Sequence, residues 1–275
     1  MSVSLKAGTV ANDQKVVEYA TYESAEYNTA EKSSSGGSLE GEEQFPIRGA
    51  ELPVIPLQGY LLKWFVRFVR AKKILEVGTF TGYSTVFLAD ALRKNGVEAD
   101  ESGSKPLITC EMVEEAAEAA QKNFTKLGYD DLIEVKVQKA IDTINAFPDG
   151  TQFDLIFIDA DKPSYQDYYD TILNKNLLSP NGIMVIDNTI LFGIEKLVGQ
   201  EPESDFAAQK NAIEEWQIAS KDSLEKKTAM ECKGAFLDNL AKTAHAFNEF
   251  VRKDPRTEQL VLPLVTGMTF VRLAN

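Results

Sequence analysis

Two cysteines, Cys110 and Cys232, are all that the sequence contains. A disulfide framework is therefore not expected, and a reducing, cytoplasmic setting is. Basic residues are also scarce. The 29 Lys and Arg face 42 Asp and Glu, for a formal net charge of −13. Such a chain grips a phosphate backbone poorly, so no nucleic-acid partner is expected. No apolar run approaches the roughly 20 residues that span a bilayer, so no membrane partner is expected either. The first residues, MSVSLKAGTVANDQ, lack the apolar core of a secretory signal. No internal repeat is present.

What is there is 44% hydrophobic, enough for a sizeable core. Residues 1–50 read as an accessory segment, with a possible helix over Val16–Ala30 and a polar Gly/Ser-rich stretch over Ser33–Glu43. Residues 51–275 read as the main domain. Leu57, Leu61, Phe65 and Phe68 share one face at helical spacing. Lys63, Arg67, Arg70, Lys72 and Lys73 read as a solvated helix face and its exit turn.

Strands and helices then alternate. Strands are expected at Lys73–Val77, Pro106–Glu111, Leu132–Val137, Phe153–Ile158 and Gly182–Ile186. Helices are expected at Tyr83–Lys94, Val113–Leu127, Ala140–Ala146 and Pro163–Leu173. The segments Gln259–Leu264 and Thr269–Leu273 read as an antiparallel finish. A charged insert, about Glu195–Lys242, expected to be mostly helix with a mobile part, interrupts the order, and a helix over Leu237–Val251 carries the lone His245. Strands joined by helical crossovers imply a parallel sheet covered on both faces. The expected fold is α/β: a Rossmann-like, doubly wound, mostly parallel seven-stranded sheet with an antiparallel C-terminal strand and an N-terminal helical segment.

Ligands of such sheets bind beyond the carboxyl ends of the strands. After the first strand, Gly78 and Gly82 bracket a turn that opens a helix. Glycine permits close backbone approach, and free helix N–H groups favour polar or anionic atoms. Phe80 and Tyr83 break the dinucleotide fingerprint, which disfavours a nicotinamide. After the second strand comes Glu111, placed to accept hydrogen bonds from ribose hydroxyls or to serve as a solvated carboxylate at a helix start. After the fourth and fifth strands come Asp159-Ala160-Asp161-Lys162-Pro163 and Asp187-Asn188. Neighbouring strands would bring Asp159, Asp187 and Asn188 together as an all-oxygen ligand set. That set suits Mg²⁺, with Mn²⁺ or Ca²⁺ as substitutes. Asp161 alone also fits a helix start, because Pro163 suits a first helical turn. Cys110 reads as a small core residue and His245 as structural.

These residues resemble a known family. LEVGTFTGYS, CEM, FDLIFIDADKPSYQDYY, GIMVIDNTILFG and DPRTEQLVLPLVTGMTFVRL are similar to the cation-dependent O-methyltransferases, which include the caffeoyl-CoA and catechol O-methyltransferases. The likeness runs from about Pro53 to Gly193 and from about Ala246 to Leu273. It implies transfer of a methyl group from S-adenosylmethionine to a hydroxyl of a small catechol-like, phenylpropanoid or flavonoid acceptor. It further implies that Val54, Glu76, Gly78, Thr79, Ser84, Glu111, Ala140, Asp159 and Asp161 meet the cofactor, and that Asp159, Asp187 and Asn188 hold the metal. Lys162 matches a proposed general base, and is otherwise a charge partner of Asp159 or Asp161. Phe192 stands where plant caffeoyl-CoA enzymes carry a substrate-contacting Asn. Trp216, in the insert, either caps the acceptor or packs the insert onto the domain. Relatives imply a homodimer. Two other readings stay open: a metal-independent small-molecule methyltransferase, and a catalytically silent cofactor-binding or dimerisation module.

Overall fold

The computed structural model describes residues 56–100, 103–191, 194–197 and 226–274 apart from 265. The expectations for Val54, Phe192, Trp216, the helix over Val16–Ala30 and most of the insert lie outside the described residues.

Helix α1 (Pro56–Phe68) leads into β1 (Ile74–Val77), α2 (Tyr83–Lys94), β2 (Leu107–Glu111), α3 (Glu114–Leu127), β3 (Ile133–Val137), α4 (Ala140–Ala146), β4 (Phe153–Ile158), α5 (Tyr165–Asn174) and β5 (Leu178–Asp187). Helix α6 (Lys226–Lys253) and the strands β6 (Thr257–Leu262) and β7 (Met268–Leu273) follow. The seven strands form one sheet in the order β3-β2-β1-β4-β5-β7-β6. The first five are parallel, and β7 runs antiparallel to both β5 and β6. The expected fold is therefore the observed one.

The sheet divides two cores. Alternate residues of one strand serve opposite faces. On one side Leu75, Val77, Ile156 and Ile158 pack with Tyr169 of α5 and Phe247 of α6. On the other, Ile74, Leu155 and Phe157 pack with Leu62 of α1, Leu88 of α2 and Phe124 of α3. The central strands are buried on both faces, which is why they read as unbroken apolar runs.

Three expectations need correction. Helix α1 buries Gln58, Gly59, Leu62, Lys63 and Val66 most deeply, while Leu61 and Phe65 of the expected stripe pack partly buried against the same core and Phe68 lies outside it. Phe68 is 68% exposed and stacks on Trp64, ring centroids 4.8 Å apart. Lys63 does not belong to a solvated face. It is buried and pairs with Asp90 of α2 at 2.6 Å. Finally, the helix expected over Leu237–Val251 starts at Lys226, so residues 226–242 of the insert are helical, as expected there, and continuous with it.

Candidate active site

Strand register builds the site. Val77 pairs with Cys110 and with Ile158, and Ile158 pairs with Ile186. The next residue on each strand is thus Gly78, Glu111, Asp159 or Asp187, so these four stand in one row along the carboxyl edge. The order of the sheet reverses between β1 and β4, and such a switch point opens the crevice in which doubly wound sheets bind ligands.

Gly78 lies beside that crevice with φ 104°, a region that L side chains rarely adopt. A Cβ there would meet the Asp159 carbonyl oxygen at 2.1 Å. At Gly82, φ 87°, a Cβ would enter the Phe124 ring. Both glycines are thus required by the close approach of β1's turn to β4 and to α3. Phe80 also has positive φ, 48°. Its N–H donates to Glu111 Oε2 at 2.8 Å, while Met112 and Val113 N–H groups donate to Oε1, both at 2.9 Å. Glu111 therefore ties the glycine turn to the end of β2. Oε2 keeps a lone pair for a further donor.

Beneath the turn lies Glu76, fully buried. It accepts hydrogen bonds from Ser84 at 2.7 Å, Thr85 at 2.5 Å and Thr109 at 2.6 Å. Burial raises its pKa to about 7, against the lowering effect of these three hydroxyls. Thr79 and Thr109 hydroxyls stand 2.6 Å apart. Because the Thr109 proton goes to Glu76, Thr79 is the donor of that pair. Ser84 and Thr79 thus spend their protons inside the protein. Ala140, the first residue of α4, is buried in the core side of β3's exit turn.

The β4 exit holds Asp159, Asp161 and Lys162. Lys162 Nζ donates to Asp159 Oδ1 and to the Ala160 carbonyl, both at 3.1 Å, and lies 5.2 Å from the Tyr165 ring centre. Asp161 precedes a short 3-10 turn, Lys162–Ser164, with Pro163 in its first positions. It accepts from the Ser164 hydroxyl and from Tyr168 OH, the latter at 2.6 Å. Asp161 thus stands at the start of that turn with its side chain bonded to two hydroxyls and capping no backbone N–H.

The β5 exit is the most tightly held. Asp187 and Asn188 are buried, and Asn188 adopts φ 56°, which Asn tolerates better than most residues. Asp187 Oδ1 accepts from Gln58 Nε2 and from the Asn188 N–H, both at 2.8 Å. Tyr165 OH donates to the Asp187 carbonyl at 3.1 Å. Asn188 Nδ2 donates to Thr266 Oγ1 at 2.7 Å, which fixes the side-chain amide's orientation. Thr269 and Asn248 hold the next residue, Thr189. Two oxygens remain: Asp187 Oδ2 and Asn188 Oδ1 are buried without a hydrogen-bond partner among the described residues. Burial and the neighbouring Asp159 charge both push the Asp187 carboxyl up, with Lys162 opposing them. Orphaned buried oxygens beside a second carboxylate fit the hard, all-oxygen chemistry that a divalent cation takes. Among the described residues no three His, Cys, Asp or Glu side chains gather as a metal group. The set reaches three only through the amide of Asn188.

Sequence reasoning had no sight of Gln58, Thr109, Tyr165, Asn248, Thr266 or Thr269. Only Gln58 left a signal, as a polar residue on the helical stripe shared with Leu62 and Val66. His245 sits within α6, half-buried, and Cys110 is a core residue whose thiol is pushed up to about 12 by burial.

The O-methyltransferase family profile matches residues 42–274. The O-methyltransferase ankF of Aspergillus thermomutatus is 29% identical over 223 residues, 80% of this chain and 78% of that protein. A catechol O-methyltransferase of Niastella koreensis is 39% identical over 144 residues, which covers 52% of this chain and 60% of that protein. Among solved structures, the SAH-bound methyltransferase PaMTH1 of Podospora anserina superposes with a TM-score of 0.67 at 22% identity, covering 98% of this chain and 99% of that one. The chain belongs to the O-methyltransferase family, a class of S-adenosylmethionine-dependent enzymes.

Proposed function

We propose that this enzyme moves a methyl group from S-adenosylmethionine to one hydroxyl of a small aromatic acceptor with adjacent hydroxyls, and that a divalent cation, Mg²⁺ by preference, assists. The observation that carries the reading is the pair of partnerless buried oxygens, Asp187 Oδ2 and Asn188 Oδ1, next to Asp159. The named activity of the Niastella relative points the same way.

In this reading the turn from Gly78 to Gly82 receives the cofactor's amino-acid end, with Glu76, Thr79 and Ser84 beneath it. Glu111 takes the ribose hydroxyls through the free capacity of Oε2, and Ala140 with Val54 borders the remainder. Asp159, Asp187 and Asn188 would hold the cation. When bound, it would favour the ionised form of a phenol, which is the better nucleophile. The chain's own work is placement. The row of carboxyl-edge residues sets donor and acceptor side by side, where reacting atoms need about 3 Å separation and alignment. Lys162 Nζ, held by Asp159, would take the hydroxyl proton as the neutral amine and become the ammonium that pairs with Asp159. Phe192 and Trp216 belong to the acceptor side.

Residues 1–50 are taken as an accessory segment and 51–275 as the methyltransferase domain. No helix among the described residues is long and apolar enough to cross a membrane. We place the enzyme in the cytoplasm as a homodimer, the exposed Trp64–Phe68 stack supplying apolar surface for a second copy.

The test is a panel of catechols, flavonoids, caffeoyl-CoA and simple phenols with S-adenosylmethionine, run with Mg²⁺, with EDTA, and with Asp159→Ala. Transfer to vicinal diols that needs both the cation and Asp159 is expected. Transfer indifferent to EDTA would leave a metal-independent methyltransferase. Cofactor binding without turnover on any acceptor would leave a silent module.

A further inference from the structure

The cation reading gives no role to Gln58, although it is 1% exposed and lies 129 positions before the carboxylate it touches. A buried amide is costly unless hydrogen-bonded. Helix α1 nonetheless carries it on its buried face, between the Leu62–Val66 stripe and the sheet's carboxyl edge.

Three features seat α1 so that Gln58 reaches Asp187. Gly59 lies flat against Phe87 of α2, where a Cβ would come within 2.8 Å of the ring. Lys63 forms its buried ion pair with Asp90 of the same helix. Leu62 and Val66 fill the core beneath. With the helix so placed, Gln58 Nε2 donates to Asp187 Oδ1 at 2.8 Å, and the Asn188 N–H donates to the same oxygen. Among the described residues, Asp187 Oδ2 is the one left without a hydrogen-bond partner. The two oxygens of one carboxylate are thus given different tasks. Oδ1 is committed to the protein, and Oδ2 is kept buried and unspent, one residue from Asn188 and on the strand next to Asp159.

We propose that Gln58 is a positioning residue of the cation site: from α1, it locks the Asp187 carboxylate so that Oδ2 alone is offered as a single-oxygen ligand. The inference rests on the cation reading above. It makes the seating of the N-terminal helix part of the metal centre. Outer partners that orient a ligating carboxylate typically contribute about 10–100-fold to metal affinity.

Mn²⁺ binding to the full-length protein, read by electron paramagnetic resonance, tests it without turnover. Wild type, Asp187→Ala, Gln58→Met and Gln58→Asn are compared, with S-adenosylhomocysteine affinity measured alongside by calorimetry. Gln58→Met keeps the length and loses the donor. Gln58→Asn keeps the amide and withdraws it by one methylene, so it serves if the first variant does not fold. The expected result is a Kd for Mn²⁺ raised about tenfold or more in either Gln58 variant, with S-adenosylhomocysteine affinity held within about twofold. Mn²⁺ affinity unchanged in a folded Gln58 variant, while Asp187→Ala abolishes binding, would overturn this inference and leave the cation reading intact. No Mn²⁺ binding by wild type would overturn both.

Discussion

Thr109 of β2 donates its hydroxyl proton to Glu76 of β1 across 2.6 Å, in a region from which water is excluded. The bond links two strands directly beneath the glycine turn. Burial raises that carboxyl's pKa from its ordinary 4.5 to about 7, against the lowering effect of this bond and of those from Thr85 and Ser84. The folded chain therefore holds that proton more tightly than the unfolded chain. Glu76 imposes no charge-burial cost below pH 4.5, and stability is lost as pH rises through 7. A rise of that size, at about 1.36 kcal/mol per pH unit, amounts to about 3 kcal/mol. Glu76→Gln is expected to gain stability relative to wild type by up to that amount between pH 5 and 8, measured by urea unfolding. Parallel curves for the two proteins would refute the assignment.

Gly78→Ala is expected to fail at both folding and binding. The added carbon would stand 2.1 Å from a backbone oxygen, which cannot swing aside like a side-chain end. A loss of at least about 2 kcal/mol is expected, together with undetectable S-adenosylhomocysteine binding. Thermal melting and calorimetry check the two parts. The companion change Gly96→Ala, at φ 75° with no atoms within 4 Å, is expected to leave cofactor affinity unchanged.

The pair Lys63–Asp90 should respond asymmetrically. Asp90 also accepts from Tyr129 at 2.9 Å and pairs with Lys94 at 3.0 Å, so it keeps partners when Lys63 is lost. Lys63 has far less access to water. Asp90→Ala removes the acceptor shared by Lys63, Lys94 and Tyr129, at a cost of about 3–5 kcal/mol. Lys63→Met, which fills the same space without charge, is expected to cost less than half as much. Urea unfolding of both variants decides, and equal losses would contradict this account.

Trp64 is 55% and Phe68 68% exposed, and their rings lie nearly parallel at 12°. If a second copy covers them, Trp64→Asp with Phe68→Asp converts dimer to monomer in light scattering without unfolding the chain. An unchanged mass would place the partner elsewhere.

Much of this molecule was legible from residue order. Apolar strands ending in Gly78, Glu111, Asp159 and Asp187 announced a common edge, because a parallel sheet aligns the ends of its strands. The observed helices Tyr83–Lys94 and Ala140–Ala146 match the expected bounds. Helix α1 was harder. Two apolar stripes run along it, and periodicity cannot choose between them. The buried stripe is the one that contains Gln58 and Lys63, two residues that look unsuited to burial until their partners are seen. Those partners, Asp187 and Asp90, are fixed by tertiary contacts that have no local signature. The same holds for Thr266, whose hydrogen bond orients the Asn188 amide from 78 positions away.

The turn after β5 draws its supports from α1, α5, α6 and the β6–β7 turn. This has a consequence for how the protein matures. A nascent chain that has emerged only through β5 already contains Asp159, Asp187 and Asn188. It still lacks Thr266, and it lacks β7, which pairs Met268 with Asp187. Closing such distant contacts is the slow part of folding. The cluster's full set of supports is therefore complete only once the β6–β7 turn and β7 have been made.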